Sequence, residues 1–206
     1  MENNMTVFIV DDDPAARDSV AVLVKSKGLP VRAFASAEEF LAEYQPGDSG
    51  CLVVDVRMTG MTGLELLEVL RQRNAALPVI IITGFGDVPT AVRAMRAGAF
   101  TFLEKPCRDQ ELWAAIQRAL DSATKLQAEN DRKTSVEARL ATLTPDELRV
   151  MREMVIGKPN KVIASDLDIG LRTVELRRAN VLKKMQADSL AELVRFALLV
   201  WNTPNE

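Results

Sequence analysis

The stretch Cys51-Leu52-Val53-Val54-Asp55 ends a short apolar run with a carboxylate. The run is bounded by Gly50 and by the turn-forming residues 59 to 63, which is typical of a strand in the interior of a sheet. We therefore expect Asp55 at the C-terminal tip of an interior strand. Because ligands bind at that edge of open parallel sheets, a functional site is expected around this residue.

Four more strand-like runs alternate with helical segments in the first 120 residues. These runs are residues 6 to 10, 29 to 34, 78 to 82 and 100 to 103. The intervening helices have local start signals, such as an Asp-Pro pair at residue 13 and capping boxes at residues 36 and 62. The alternation predicts an α/β fold with a doubly wound, five-stranded parallel sheet and right-handed crossovers.

The residue pattern in the rest of the chain predicts only helices. Residues 123 to 141 lack Gly and Pro and are expected to form a helical linker, either one continuous helix or a frayed one, between a first domain, residues 1 to 122, and a second, residues 142 to 206. Four amphipathic helices follow, the first opened by a capping box at Thr144 and the last capped at Ser189, and the pair around the turn at Gly170 is typical of a helix-turn-helix. The second domain is therefore predicted to be an all-α, four-helix, helix-turn-helix domain.

Composition excludes several classes of function. The chain contains no histidine and only two cysteines, so it cannot form a Ser-His-Asp triad, a His-containing zinc site or a phosphohistidine. The polar N-terminus is unlike a signal peptide, and no run is long and apolar enough for a membrane span. We expect a cytoplasmic protein without a membrane partner.

Polar side chains occur where four of the predicted strands end. Asp11 and Asp12 follow the first strand, Asp55 ends the third, Thr83 the fourth and Lys105 the fifth. Three carboxylates at one edge repel each other unless a cation lies among them, and oxygen ligands favour Mg²⁺, with Mn²⁺ as the alternative. Because Mg²⁺ commonly also takes a phosphate oxygen, Asp55 is a candidate nucleophile and phosphoacceptor, with Thr83 and Lys105 as phosphoryl-binding residues.

Residues 6 to 120 resemble the receiver domains of two-component response regulators, which have the flavodoxin-like fold of CheY. The matches are Val10-Asp11-Asp12, Asp55 after Leu-Val-Val, Thr83-Gly84, Ala97-Gly98-Ala99 and Lys105-Pro106. The resemblance implies that Asp55 is phosphorylated by a sensor histidine kinase acting in trans. It also implies that Asp11, Asp12, Asp55 and the backbone carbonyl of Arg57 hold Mg²⁺, and that Thr83 and Phe102 form a switch pair.

The third helix of the second domain, residues 171 to 185, carries five basic side chains and one acidic one. At helical spacing, Val174, Val181 and Met185 share the face expected to pack on the core. The opposite face and its surroundings contain the DNA-binding candidates. We expect phosphate contacts from Lys161, Arg172, Thr173 and Lys183, readout of cytosine by Glu175, and close approach to bases by Leu176 and Ala179, with Arg178 as a further DNA-binding candidate.

Residues 141 to 199 resemble the output domains of the FixJ and NarL class of LuxR-type regulators. The matches include Asn160-Lys161, Arg172-Thr173-Val174-Glu175 and Arg178-Ala179-Asn180. The chain departs from that pattern at Gly170-Leu171, a weak helix start, and at Arg177, where a histidine is frequent. A homodimer on phosphorylation is implied, with Leu193, Phe196 and the fourth-helix and fifth-strand surfaces of the first domain as dimer candidates.

The expected function is phosphorylation-controlled dimerisation and sequence-specific binding of double-stranded DNA to regulate transcription, with RNA polymerase as a further partner. The chain is not expected to be an enzyme beyond self-phosphorylation and autodephosphorylation at Asp55. Two alternatives remain at this point. One is a DNA-binding regulator that is independent of phosphorylation and uses the receiver only to dimerise, and the other is an aspartate-nucleophile phosphoryl-transfer enzyme.

Overall fold

The structure is a computed structural model that describes residues 5 to 45, 47 to 84 and 88 to 201. The chain divides into two compact units between Ala128 and Glu129. The strands of the first unit are β1 (Thr6–Val10), β2 (Val31–Phe34), β3 (Gly50–Asp55), β4 (Val79–Thr83) and β5 (Thr101–Glu104). Its helices are α1 (Pro14–Ser26), α2 (Ala37–Glu43), α3 (Gly63–Gln72), α4 (Val88–Ala97) and the first part of α5 (Asp109–Leu140).

The five strands form one parallel sheet in the order β2-β1-β3-β4-β5. The strand order reverses between β1 and β3, which is where open α/β sheets bind their ligands. Val10 pairs with Val54, so Asp11 and Asp55 leave their strands side by side at the carboxyl edge. The predicted α/β fold and the placement of Asp55 are confirmed.

Each face of the sheet carries its own apolar core. Phe8, Val54 and Ile81 face one core, which packs against α2 and α3, while Val53 and Ile80 face the other, which packs against α1 and α5. All six residues of β3 are buried, as expected for a central parallel strand with helices on both sides. The carboxylate of Asp55 is therefore held at the end of the most enclosed strand.

Local capping sets where several helices begin. Asp13 accepts a hydrogen bond from the backbone N–H of Ala15 at 3.0 Å, and Pro14 is the first residue of α1. Thr62 and Glu65 form a reciprocal capping box at the start of α3. These caps satisfy N–H groups that the first turn of a helix cannot pair internally. The predictions of these caps from sequence are confirmed.

The second unit contains helices α6 (Pro145–Val155), α7 (Asn160–Asp166), α8 (Leu171–Met185) and α9 (Leu190–Val200), together with the last part of α5. Its core includes Val136 from α5, Met151 and Met154 from α6, Ile163 from α7 and Val181 from α8. The segment predicted as a linker lies almost wholly in α5. None of the helices described is long and apolar enough to cross a membrane.

Candidate functional site

Three polar side chains are buried at the carboxyl edge of the sheet. Asp11 follows β1 and is 6% exposed, Asp55 ends β3 and is 8% exposed, and Thr83 ends β4 and is 1% exposed. Buried carboxylates are costly unless they are paired or hydrogen-bonded, so their presence here points to a function or to a partner in the fold. Both carboxylates do have such a partner.

Lys105, which follows β5, lies between the two carboxylates. Its Nζ is 2.7 Å from Oδ2 of Asp11 and 2.8 Å from Oδ1 of Asp55. Burial alone would lower the pKa of Lys105, but hydrogen bonds and charge from Asp11 and Asp55 outweigh burial and raise it. One ammonium thus faces two carboxylates, and the cluster of three side chains carries a net negative charge.

Further hydrogen bonds orient the oxygens of Asp11 and Asp55 that do not face Lys105. The backbone N–H of Arg57 donates to Oδ2 of Asp55 at 2.6 Å, and the N–H of Asp13 donates to Oδ1 of Asp11 at 3.0 Å. The guanidinium of Arg17 donates to the backbone carbonyl of Asp11 at 2.6 Å. Neither carboxylate can rotate without breaking a hydrogen bond, so the site is preorganised.

Asp12 is not part of the buried cluster. It is exposed, and its Oδ2 accepts hydrogen bonds from the backbone N–H of Thr59 at 2.8 Å and from its hydroxyl at 3.0 Å. These two hydrogen bonds lower the pKa of Asp12, the backbone one most. Of the three carboxylates predicted to meet at the edge, the structure therefore brings two together.

The loop between β3 and α3 is fixed by contacts that the sequence did not indicate. Glu38 of α2 accepts a hydrogen bond from the N–H of Met61 at 2.9 Å. Gly63 allows the turn, because a Cβ there would lie 2.2 Å from the carbonyl oxygen of Asp55. Glu38 and Met61 are 23 residues apart, so no local sequence pattern could have shown the contact.

The cluster suits a divalent cation by its chemistry. The carboxylates of Asp11 and Asp55 already converge on one cationic group, and carboxylate and carbonyl oxygens are the ligands that Mg²⁺ and Mn²⁺ prefer. Within residues 5 to 45, 47 to 84 and 88 to 201, however, no three acidic, Cys or His side chains are grouped to hold a metal. Asp12, the third predicted carboxylate, is hydrogen-bonded to Thr59 instead.

Thr83 and Phe102 lie on the same face of the sheet. Ile81 pairs with Phe102 across β4 and β5, and Thr83 is two residues beyond Ile81, so side-chain alternation places all three on one face. Thr83 is fully buried, whereas the ring of Phe102 is half-buried and packs on the core that contains Ile81. Rearrangement of Thr83 would thus occur on the face that holds this ring.

The nearby helix α4 is thinly packed. Ala94 is its only buried residue, while Val88, Val92 and Met95 are 76%, 45% and 50% exposed. An exposed apolar surface of this kind is typical of an interaction site. This helix surface is one of the predicted dimer candidates.

In the second unit, α8 has the two faces that its sequence predicted. Val174, Val181 and Met185 are fully buried in the core, which confirms the predicted inner face. The opposite face consists of exposed side chains, namely Arg172, Glu175, Leu176, Ala179 and Lys183. Lys161 of α7 is also exposed, while Thr173 and Arg178 are half-buried. The helix begins at Gly170 without a side-chain cap, as the sequence suggested.

Two basic residues of α8 anchor that helix to the start of α6. Arg177 forms an ion pair with Asp146, and Lys184 lies 2.6 Å from the buried carboxylate of Glu147. The hydrogen bond from Lys184 is the largest cause of the lowered pKa of Glu147, followed by the one from the N–H of Thr144. Two of the five basic side chains of α8 are therefore paired with carboxylates of the second unit.

The turn between α6 and α7 is held by a further cation. The Nζ of Lys158 lies 2.8 Å from Oδ2 of Asp166 and 2.5 Å from Oε2 of Glu153. Hydrogen bonds to Asp166 and Glu153 raise the pKa of Lys158. Lys158 thus joins the end of α6 to the end of α7. This fixes the entry into the helix-turn-helix.

The prediction that Leu193 and Phe196 offer a dimer surface is wrong. Leu193 is 0% and Phe196 6% exposed, because the apolar face of α9 packs into the core of the second unit. The guanidinium of Arg139 also lies 5.5 Å from the centre of the Phe196 ring. The exposed apolar residues of α9 are instead Leu190, Leu198 and Leu199.

Known protein families match both units. The family of response regulator receiver domains matches residues 7 to 117, and the luxR family of bacterial regulatory proteins matches residues 141 to 197. The fold and the two matches together define a two-domain regulator with a receiver and a DNA-binding domain. The chain belongs to the FixJ-like response regulators.

The relatives support this assignment over nearly the full chain. The transcriptional regulatory protein FixJ of Azorhizobium caulinodans is 47% identical over 204 residues, which cover 99% of this chain and 97% of that protein. FixJ of Rhizobium meliloti is 48% identical over 193 residues, covering 94% and 95%. These relatives are transcriptional regulators, which argues against the alternative of a phosphoryl-transfer enzyme.

Solved structures show the same architecture. The response regulator StyR matches with a TM-score of 0.82 and 39% identity, covering 94% of this chain and 98% of that chain. Full-length FixJ from B. japonicum matches with a TM-score of 0.58 and 44% identity, covering 95% and 96%. The predicted combination of a receiver with a helical output domain is confirmed.

Proposed function

We propose that Asp55 accepts a phosphoryl group from a sensor histidine kinase in trans, and that this modification controls DNA binding by the second unit. The observation that carries the proposal is the geometry at the carboxyl edge, where one Asp55 oxygen accepts from Arg57 and the other faces Lys105. The oxygen beside Lys105 is where an incoming phosphoryl group would meet positive charge.

The transfer requires little from the protein beyond position and charge. An Asp55 oxygen forms a bond to phosphorus while the bond from phosphorus to the kinase histidine nitrogen breaks. Lys105 then contacts the phosphoryl oxygens together with the hydroxyl of Thr83. Hydrolysis by water returns the free carboxylate, so the chemistry is a self-limited modification and not turnover of a substrate.

A Mg²⁺ ion, or Mn²⁺, would be held by Asp11, Asp12, Asp55 and the backbone carbonyl of Arg57. When bound, the ion neutralises charge that develops on the phosphoryl oxygens. The protein orients Asp55 through the N–H of Arg57 and Asp11 through the N–H of Asp13. Lys105, which follows β5, offsets part of the charge of the same two carboxylates.

Thr83 and Phe102 are proposed as the residues that convert modification into a change of shape. A hydroxyl that moves toward the phosphoryl group leaves space on the face where the half-buried ring of Phe102 packs. The surface formed by α4 and β5 would then change, and it is the favoured dimer surface because its apolar residues are exposed.

The second unit is proposed to bind duplex DNA through α8. Its exposed face offers Arg172 and Lys183 for phosphates, together with the half-buried Thr173 and with Lys161 on α7. Glu175 is proposed to read cytosine. Leu176, Arg178 and Ala179 are proposed to lie near the bases.

The wider setting is proposed as follows. Residues 1 to 122 form the receiver, 123 to 141 the linker and 142 to 206 the DNA-binding domain. The phosphorylated protein forms a homodimer on two half-sites, acts in the cytoplasm and contacts RNA polymerase. The alternative that the receiver serves dimerisation alone, without phosphorylation, is decided by the same experiment.

The test compares the wild type with Asp55→Asn, Asp55→Ala and a control, Asp18→Asn, which alters an exposed carboxylate of α1 outside the cluster. Each protein is treated with Mg²⁺ and a small phosphodonor, and intact mass, dimerisation and DNA binding are measured. We expect a mass gain of one phosphoryl group and tighter DNA binding in the wild type and Asp18→Asn only. Equal DNA binding and dimerisation by all four proteins would overturn the proposal.

A further inference from the structure

The strongest contact of Asp12 is with a residue that has no assigned role in the site. Its Oδ2 accepts two hydrogen bonds from Thr59, one from the backbone and one from the hydroxyl. The two residues are 47 positions apart and belong to different loops, after β1 and after β3. The hydrogen bonds hold the Asp12 carboxylate outside the cluster formed by Asp11, Asp55 and Lys105.

We propose that Thr59 is a positioning residue that withholds Asp12 from the metal site and thereby sets the affinity for Mg²⁺. The inference rests on the proposed function, because it takes Asp12 as a ligand of the ion. Asp12 must leave both donors of Thr59 before it joins the other ligands. Each hydrogen bond to a charged oxygen that is given up weakens binding of the ion.

Electrostatics explains why Asp12 remains with Thr59 until the ion binds. The ammonium of Lys105 already faces two carboxylates, at 2.7 Å and 2.8 Å. A third carboxylate brought into this cluster without another cation would add repulsion between like charges. A divalent ion supplies the missing charge, so binding of the ion and release of Thr59 are coupled.

The rest of the loop is secured independently of Asp12. The N–H of Met61 donates to Glu38, the N–H of Gly63 donates to the carbonyl of Val56 at 3.1 Å, and the capping box of Thr62 begins α3. Thr59 can therefore be released while the loop keeps its ends. Thr59 can therefore affect the metal site without disturbing the rest of the loop. Glu38, which holds the same loop through Met61, provides a matched control variant.

The test measures Mg²⁺ affinity of the full chain by calorimetry for the wild type and three variants. Thr59→Val removes the hydroxyl donor, and Thr59→Pro removes both donors. We expect tighter binding by about 3-fold for Thr59→Val and about 10-fold for Thr59→Pro, because one or both of two solvent-exposed hydrogen bonds are lost from the competing state. Glu38→Gln, which perturbs the same loop away from Asp12, should bind as the wild type does.

A second readout does not depend on any variant folding correctly. In the wild type, titration with Mg²⁺ should shift the amide proton of Thr59 upfield and speed its hydrogen exchange, since the N–H loses a carboxylate acceptor. The amide of Met61, held by Glu38, should change much less. An unchanged Thr59 amide at saturating Mg²⁺ would overturn the role of Thr59.

The outcomes separate the two proposals. Absence of saturable Mg²⁺ binding in the wild type and in every variant would overturn the metal assignment itself, and the role of Thr59 with it. Saturable wild-type binding with equal or weaker binding by both Thr59 variants would overturn the role of Thr59 alone. Tighter binding by Thr59→Val and Thr59→Pro with an unchanged Glu38→Gln supports it.

Discussion

The Nζ of Lys105 lies 2.8 Å from Oδ1 of Asp55, the proposed phosphoacceptor. The same ammonium lies 2.7 Å from Asp11, so a single positive charge compensates two buried carboxylates. This arrangement offsets part of the charge of the two carboxylates. It also leaves the site with excess negative charge, which favours a divalent cation.

Replacing Lys105 by methionine should make the receiver depend on Mg²⁺ for stability. We expect Lys105→Met to lower the free energy of unfolding by about 2 kcal/mol without Mg²⁺, because two buried carboxylates lose their cation. Saturating Mg²⁺ should recover more stability in the variant than in the wild type. Urea unfolding with and without Mg²⁺ measures both effects.

The control for this experiment is Lys25→Met, which removes an exposed lysine of α1. Its stability should stay within about 0.5 kcal/mol of the wild type and gain nothing extra from Mg²⁺. If Lys105→Met behaves in the same way, Lys105 does not compensate the two carboxylates.

The buried pair of Glu147 and Lys184 predicts how the second unit responds to acid. The pKa of Glu147 is lower in the folded protein than in the unfolded chain, chiefly because Lys184 donates a hydrogen bond to it. Its contribution is therefore fully present above the unfolded pKa of 4.5 and is lost as the pH falls through the lower folded pKa. We expect the second unit to lose stability below about pH 4.5.

Tryptophan fluorescence can follow the second unit in the full chain. Trp201 packs on the core of the second unit and Trp113 on a core of the first, so Trp113→Phe leaves a reporter of the second unit alone. In this background, Glu147→Gln should remove part of the loss of stability between neutral and acid pH. An unchanged pH dependence would show that other carboxylates are responsible.

The corrected position of Leu193 can be tested within a single helix. Leu193→Ala should destabilise the second unit by about 2 to 5 kcal/mol, because it opens a cavity in the core. Leu198→Ala, at an α9 residue that is 59% exposed, should change stability by less than about 0.5 kcal/mol. Similar small effects of both variants would contradict the placement of Leu193 in the core.

The proposed DNA-binding face predicts different roles for two neighbouring residues. Arg172→Ala should weaken binding to all duplexes and reduce the slope of log affinity against log salt by about 1, as expected for a phosphate contact. Glu175→Ala should change preference at one base pair by about 1 to 3 kcal/mol with little effect on the slope. Duplexes selected from a random pool by the wild type serve as the probes.

Equal weakening of all duplexes by Glu175→Ala would remove its role in readout. Arg177→Gln is the structural comparison, because Arg177 is already paired with Asp146. Its main effect should be on the stability of the second unit and not on the salt slope.

The fold and the edge of the sheet could be predicted because their signals are local. Asp55 follows a run of apolar residues between turn signals, and caps such as Asp13 and Thr62 mark helix starts within four residues. Parallel strands then bring their carboxyl ends to one edge by topology alone. For this reason Asp11 and Lys105 could be predicted to lie at the same edge, although they are 94 residues apart in the sequence.

The contacts that were not predicted join segments far apart in the sequence, and no local pattern indicates which segments meet. Asp12 could be assigned to the edge, but its hydrogen bonds to Thr59 depend on how two loops meet. The spacing of Leu193 and Phe196 indicates an apolar face, yet spacing does not say whether that face packs inside the unit or against another copy. Likewise, the charge of Arg177 gives no sign of its pair with Asp146.

The proposed switch predicts that Thr83→Ala separates modification from its effect. Asp55 keeps its hydrogen bond from Arg57 and its ion pair with Lys105 in this variant, so phosphorylation by a small phosphodonor should continue. The gain in DNA affinity on phosphorylation, about 5- to 150-fold for typical allosteric coupling, should fall close to onefold. Intact mass and DNA binding are measured on the same samples.

Thr101→Ala is the matched control for Thr83→Ala. Thr101 pairs with Ile80, whose side chain faces the other core of the sheet, so this variant should keep the full gain. Full activation of phosphorylated Thr83→Ala would show that the signal leaves Asp55 by a route that does not include the Thr83 hydroxyl.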